Sequence, residues 1–218
     1  DSIMTHLPER LLTGYRNFMT GRYQSETARY KTLARDGQNP EIMMIACCDS
    51  RSAPETIFDA GPGELFVVRN VANLVPPYAP DGEAHGVSAA LEFAVQVLHV
   101  KHIVVLAHAQ CGGIRALATD SAPLSPGDFI GKWMSLLEPT LQEAARRRDE
   151  ELQDFITRLE KRAVSTSLKN LMTFPCVRIL AERGKLHLHG AYFGVAKGSL
   201  SVLDQATGEF KPVEAIAA

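Results

Sequence analysis

The chain lacks most of the features that mark specialised classes of protein. No apolar run among its 218 residues reaches the roughly 20 residues needed to cross a bilayer, so no membrane partner is expected. The opening Asp1–Arg10 lacks the basic-then-apolar order of a secretory leader, although the missing initiator Met leaves room for a leader already removed. Four cysteines are too few for a disulfide framework in a chain of this length and suit metal-binding thiols in a reducing cytoplasm. With a formal charge of -2 and no basic stripe, nucleic acid is not an expected partner, and no acidic tail suggests a solvating role. No Gly-x-Gly-x-x-Gly opens a helix and no phosphate loop is present, which argues against a nucleotide-binding protein. Repeats and low-complexity tracts are absent as well.

What is present suits one domain with a sizeable core, spanning 1–218, with an N-terminal helical arm over 1–36 and an α/β core over 37–218. Leu7–Tyr23 reads as an amphipathic helix. Ser25–Arg35 reads as a second, with Ser25 as its N-cap and Gly37 as its stop. Ile42–Cys47, Leu65–Arg69, Ile103–Ala107 and Leu186–Tyr192 are short apolar runs that predict buried strands. Val87–Val97 is helical in pattern, and Pro139–Leu171 reads as long helical material. Its Arg146-Arg147-Arg148 run marks a solvated face. Strands alternating with helices predict an α/β fold, a central mainly parallel β-sheet flanked by helices.

Chemistry concentrates in Cys47-Cys48-Asp49-Ser50-Arg51 and His108-Ala109-Gln110-Cys111. Cys47 ends the first predicted strand and His108 the third, and ligands of open parallel sheets sit beyond the carboxyl ends of strands. Two thiolates and an imidazole suit tetrahedral zinc. With no fourth Cys or His nearby in either segment, one position is left for water, the pattern of a catalytic zinc. Cys111 precedes Gly112-Gly113 and a predicted helix, whose N-terminus favours a thiolate. On extended chain Cys47, Asp49 and Arg51 share one face, and Cys48 turns to the other as a small buried residue. His187 and His189 alternate along a strand, where satisfied strand histidines are the commoner case. His99 and His102 flank a helix-to-strand connection and are expected to face solvent.

In their order and separation, Ala46-Cys47-Cys48-Asp49-Ser50-Arg51, Gly63–Asn73 and His108-Ala109-Gln110-Cys111-Gly112-Gly113 resemble the β-class carbonic anhydrases, and the plant-type branch most. The resemblance runs from about Gln38 to Gly113 and returns weakly around Gly190–Gly198. It implies a zinc enzyme of reversible carbon dioxide hydration, with hydroxide generated on one zinc per chain held by Cys47, His108 and Cys111. It also implies that Arg51 holds the Asp49 carboxylate in a charge-assisted fork, with Asp49 free in some members to become a fourth ligand and close the site. Gln38, Phe66, Phe93 and Gly112 match positions that receive carbon dioxide and bicarbonate, with Phe93 standing where the plant-type pattern has Tyr. Gln38 and Phe66 would come from a neighbouring subunit, so a homo-oligomer is implied (a dimer or tetramer of dimers), with the N-terminal helices packing on a partner. One regulatory branch binds a second bicarbonate with a Trp, an Arg and a Tyr. Met44 and Phe193 replace two of these here and only Arg69 remains, which argues against that control. Two rivals share the fold or the metal: hydrolysis of carbon disulfide or carbonyl sulfide, and a non-catalytic zinc-binding role. The second fits poorly with the retention of Asp49 and Arg51.

Overall fold

The computed structural model describes residues 7–121 and 129–215. Two compact units divide the chain, Asp1–Asn39 and Pro40–Ala218. In the first, helix α1 (Glu9–Thr20) and helix α2 (Arg22–Asp36) are separated at Gly21, whose φ of -116° and ψ of -95° fall outside the helical region. The break falls before the expected end of the first helix, and α2 starts earlier than Ser25. Ser25 is therefore not a cap: its hydroxyl donates back to the Arg22 carbonyl at 2.9 Å, inside the helix. Gly37 ends α2 as the sequence suggests, at a φ of 82°. Neither helix has a buried residue, and Leu11 and Tyr15 are exposed.

The second unit is built on a six-stranded sheet. In chain order its elements are β1 (Ile42–Cys47), α3 (Pro54–Ile57), β2 (Leu65–Asn70), α4 (Gly86–Glu92), β3 (His102–His108), α5 (Gly112–Thr119), α6 (Phe129–Met134), α7 (Glu138–Glu143), α8 (Leu152–Leu171), α9 (Pro175–Glu182), β4 (His187–Gly194), β5 (Ser199–Asp204) and β6 (Glu209–Pro212). Spatial order is β2-β1-β3-β4-β5-β6. The first four strands run parallel, and the two central ones, β1 and β3, are buried along most of their length. The last two add an antiparallel hairpin. That hairpin was not evident in the sequence. Its strands are short and largely half-exposed, and its turns rest on Gly198 and Gly208 at positive φ.

Two segments differ from their expected form. Val87–Val97 is helical only as far as Glu92, after which Phe93–Val97 widens into a π-type turn. The helical material over Pro139–Leu171 comes in two helices, with a non-helical break between Glu143 and Leu152. The Arg146–Arg148 run lies in that break. There the Arg146 guanidinium donates to the Glu150 carbonyl at 3.0 and 2.9 Å, and Arg158 forks onto the Glu150 carboxylate at 2.9 and 2.7 Å. These bonds close a turn that a continued helix would forbid.

Helix α8 decides where the functional residues sit. Phe155, Ile156, Leu159, Ala163, Val164, Leu168 and Leu171 recur at helical spacing and bury one face against the sheet. Each large side chain so buried contributes about 1.5–3 kcal/mol. Close approach is possible because β4 carries Gly190 beneath it. A Cβ there would lie 2.6 Å from the Val164 Cγ1.

Candidate metal centre

Strands β1 and β3 are parallel neighbours, with Ala46 opposite Leu106. Their carboxyl ends therefore deliver Cys47 and His108 to one edge of the sheet. The chain then turns through Ala109 and Gln110, and Cys111 becomes the N-cap of α5. Gln110 adopts a φ of 60°, and the Ala109 N–H donates to the Phe193 carbonyl at 2.8 Å. One ligand atom from each of Cys47, His108 and Cys111 lies within 4.8 Å of the others, and all three residues are buried. It is the one such cluster among the described residues. Cys48, next in sequence, is left out. It is exposed rather than buried, and lies just past the end of β1.

The protonation pattern suits a metal ion. His108 Nδ1 lies 2.9 Å from the Ala109 carbonyl oxygen, which can only accept. The proton therefore sits on Nδ1, and Nε2 keeps a lone pair. Buried Nε2 has no hydrogen-bond partner among the described residues. The two thiols share charge unequally. Cys111 donates to Cys47, whose thiol is held far below its ordinary value, and the Cys47 thiolate pushes the Cys111 thiol up. The first amides of α5, at Gly113 and Ile114, pull Cys111 the other way but are outweighed. A divalent cation held by both sulfurs would remove the conflict, since it would displace the shared proton and favour two thiolates. Two sulfurs and a bare imidazole nitrogen are a donor set that fits zinc.

Neighbouring residues fix this cluster from three sides. Arg51 forks onto Asp49, Nε to Oδ1 at 2.9 Å and Nη2 to Oδ2 at 2.7 Å, and its backbone N–H adds a bond to Oδ1 at 2.9 Å. Those bonds hold the Asp49 carboxyl far below the usual carboxylate range. Asp49 Oδ2 stands 3.8 Å from His108 Nε2, so the carboxylate borders the cluster. From a second side, Arg69 donates to the carbonyls of Cys47 and Asp49, both at 2.6 Å. The Arg69 guanidinium thus braces the turn after β1. On the third side, the Asn70 side chain bonds Leu74 in both directions, at 2.8 and 2.7 Å. This clip holds Ala72 at a φ of 68° and aims its N–H at the Cys47 sulfur, 3.3 Å away. Non-glycine residues rarely adopt that conformation, and it is kept here by the surrounding bonds.

Other residues singled out in the sequence fall elsewhere. Gly112 is the first residue of α5, beside Cys111, with open space where a side chain would stand. Phe66 pairs with Met43, four residues before Cys47, which sets it about 13 Å back from the cluster in its own chain. Its ring stacks on Phe93 with centroids 5.8 Å apart. Gln38 is exposed and belongs to the N-terminal unit, not to the unit that carries the cluster. Met44 is buried with Phe193 packed against the same apolar cluster. His99 is exposed as expected, but His102 is half-buried and lies 3.0 Å from His189.

One contributor escaped the sequence reading. Glu160, on the buried face of α8, accepts the Cys111 N–H at 2.9 Å on Oε1 and the Tyr192 hydroxyl at 2.7 Å on Oε2. It is 1% exposed, and burial raises its carboxyl above the ordinary value. The available signal was a carboxylate set in the apolar stripe Phe155-Ile156-Leu159-Ala163-Val164, where an acid is costly unless bonded.

A mixed α/β sheet that gathers two cysteines and a histidine at the carboxyl ends of parallel strands defines a metal-binding α/β protein. Comparison with known proteins narrows that class. The carbonic anhydrase family model matches residues 42–200. "Beta carbonic anhydrase 3" of Arabidopsis thaliana is 36% identical over 221 residues, covering all of this chain and 83% of that protein. Among solved structures, the β-carbonic anhydrase CcaA superposes with a TM-score of 0.87 at 30% identity, over 94% of this chain and 91% of that one. One of two tetrameric β-carbonic anhydrases from Sordaria macrospora gives a TM-score of 0.74 at 31% identity, over 90% of this chain and 96% of that one. The chain belongs to the β-carbonic anhydrase family.

Proposed function

We propose that this protein catalyses the reversible hydration of carbon dioxide to bicarbonate and a proton, with one zinc ion held by Cys47, His108 and Cys111. The observation that carries this reading is the buried cluster of two thiols and a bare imidazole nitrogen, in a chain of this family. Zinc bound there lowers the pKa of water and so supplies hydroxide near neutral pH.

The chain's own residues direct the reaction. Asp49, kept anionic by Arg51, would accept a hydrogen bond from the attacking hydroxyl on Oδ2 and so turn an oxygen lone pair toward the carbon of carbon dioxide. Gly112, at the first turn of α5, offers its N–H to the oxygen on which negative charge develops. Phe66 supplies an apolar wall to the carbon dioxide pocket of a neighbouring subunit, Phe93 is a further pocket residue, and Gln38 is a separate candidate donor to a neighbour's bicarbonate. The support for Phe66 is its position well behind the cluster of its own chain. The exposed Leu11 and Tyr15 of α1 supply apolar surface for that partner, and dimers are the smallest complete unit. No helix among the described residues is long and apolar enough to cross a membrane.

Stopped-flow hydration assays across pH test the reading. The rate is expected to rise from mildly acidic to alkaline pH, because hydroxide and not water is the nucleophile. Asp49 is already ionised throughout that range, since its pKa is depressed, and adds no second inflection. A flat profile would contradict the assignment.

Glu160 has a positioning role. Glu160→Gln keeps the shape but weakens the hold on the Cys111 amide and on Tyr192. Its zinc is expected to be lost to a chelator about 10–100-fold more readily than in the parent. Chelator extraction followed by elemental analysis reads this directly. Parent-like zinc retention would reduce Glu160 to a packing residue.

A further inference from the structure

Three histidines stand near one another at the opposite end of the same strands. His102 opens β3 and His187 opens β4, and the parallel register makes them direct partners across the ladder. His189, two residues further along β4, returns to the same face. His102 is common to two close ring contacts, one with each of the others. His102 Nδ1 lies 3.0 Å from His189 Nε2. The His102 and His189 centroids are 5.2 Å apart, and those of His102 and His187 are 5.4 Å apart.

The His102–His189 separation is that of two imidazoles on one ion, and His187 reaches the same point only if its ring turns. With metal–nitrogen distances of about 2.0 Å and tetrahedral angles, two ligand nitrogens lie about 3.3 Å apart and their ring centroids about 5.2 Å apart. Nothing in a sheet requires His102 to lie against two other imidazoles, since water or a carbonyl would satisfy each ring. His189 is half-buried, and burial together with its two neighbours holds it below its ordinary pKa. Its neutral form, the one that binds metals, is therefore favoured. The Glu41 carboxylate, already paired with Lys101, borders His102 as well.

We propose that His102, His187 and His189 form a second binding site, for a divalent transition-metal ion of the imidazole-preferring class such as Zn²⁺ or Co²⁺. Binding replaces the His102–His189 hydrogen bond. The shared proton moves to the other nitrogen of its own ring, so that Nδ1 and Nε2 both present lone pairs without net proton loss. His187 is exposed, and its ring is free to turn from its stack on His102 and supply the third nitrogen. The ion would tie the first residues of β3 to β4. His108 lies six positions along β3 from His102, so the two sites are about 20 Å apart and the second touches no group assigned to catalysis.

Equilibrium dialysis of the zinc-loaded protein against Zn²⁺, followed by elemental analysis, tests this. The parent is expected to take up a second equivalent. His187→Ala should bind that equivalent about tenfold or more weakly, and the double variant His102→Gln, His189→Gln should lack it. In each variant the zinc retained at Cys47, His108 and Cys111 reports that the chain is folded. Hydration activity of His187→Ala should match the parent. Co²⁺ added to the zinc-loaded protein should give visible absorption without a thiolate-to-cobalt charge-transfer band. A parent that stops at one zinc, variants that take up the second equivalent like the parent, or a sulfur charge-transfer band on the added ion would each overturn the proposal. None of these results bears on carbon dioxide hydration, which is read separately by rate.

Discussion

Cys47→Ser is expected to remove zinc from the Cys47–His108–Cys111 site and carbon dioxide hydration with it. A serine hydroxyl stays protonated near neutral pH, so it supplies neither the charge nor the soft donor of a thiolate. The remaining pair, His108 and Cys111, would be left as a two-point site in a buried pocket that the Ala72 amide still faces. Elemental analysis and a hydration assay on the same preparation should both fall to background. The neighbouring Cys48→Ser is the control. Cys48 is exposed and outside the cluster, so it should keep zinc and rate. Parent-like zinc at this site in Cys47→Ser would contradict the ligand assignment.

Arg51→Ala is expected to separate metal binding from turnover. Arg51 touches no ligand side chain. It forks onto Asp49 and donates to the Gln110 carbonyl at 3.1 Å. Loss of the fork frees a carboxylate whose oxygen already stands 3.8 Å from His108 Nε2. Zinc should remain while the hydration rate drops about 10–100-fold, the usual cost of losing a residue that orients a metal site. Arg51→Lys should recover little, because a single ammonium cannot bond both carboxylate oxygens in plane. Near-parent activity in Arg51→Ala would mean that Asp49 does not orient the nucleophile.

How far the sequence reveals this protein follows from where each interaction is local. The run Ile42–Cys47 and the segment His108–Cys111 carry their own signals: apolar strands that end in soft ligands. Parallel neighbours then bring those ends together with no further information. The break after Glu143 was not legible, because it depends on Arg146 and Arg158 closing on Glu150 rather than on a glycine or proline. Glu160 was missed for a related reason. A single acid in a charged helix looks solvated until the helix is packed and its partners, the Cys111 amide and Tyr192, come from other elements. His102 likewise gains its meaning only from the β3–β4 register, which sets it opposite His187.

The central claim is best tested by stopped-flow carbon dioxide hydration on protein stripped of zinc with a chelator and then titrated with Zn²⁺. Activity should vanish on stripping and return in proportion to the first equivalent of zinc per chain, with none gained beyond it. Hydration that survives zinc removal, or a zinc-replete protein that hydrates carbon dioxide no faster than buffer, would contradict the account.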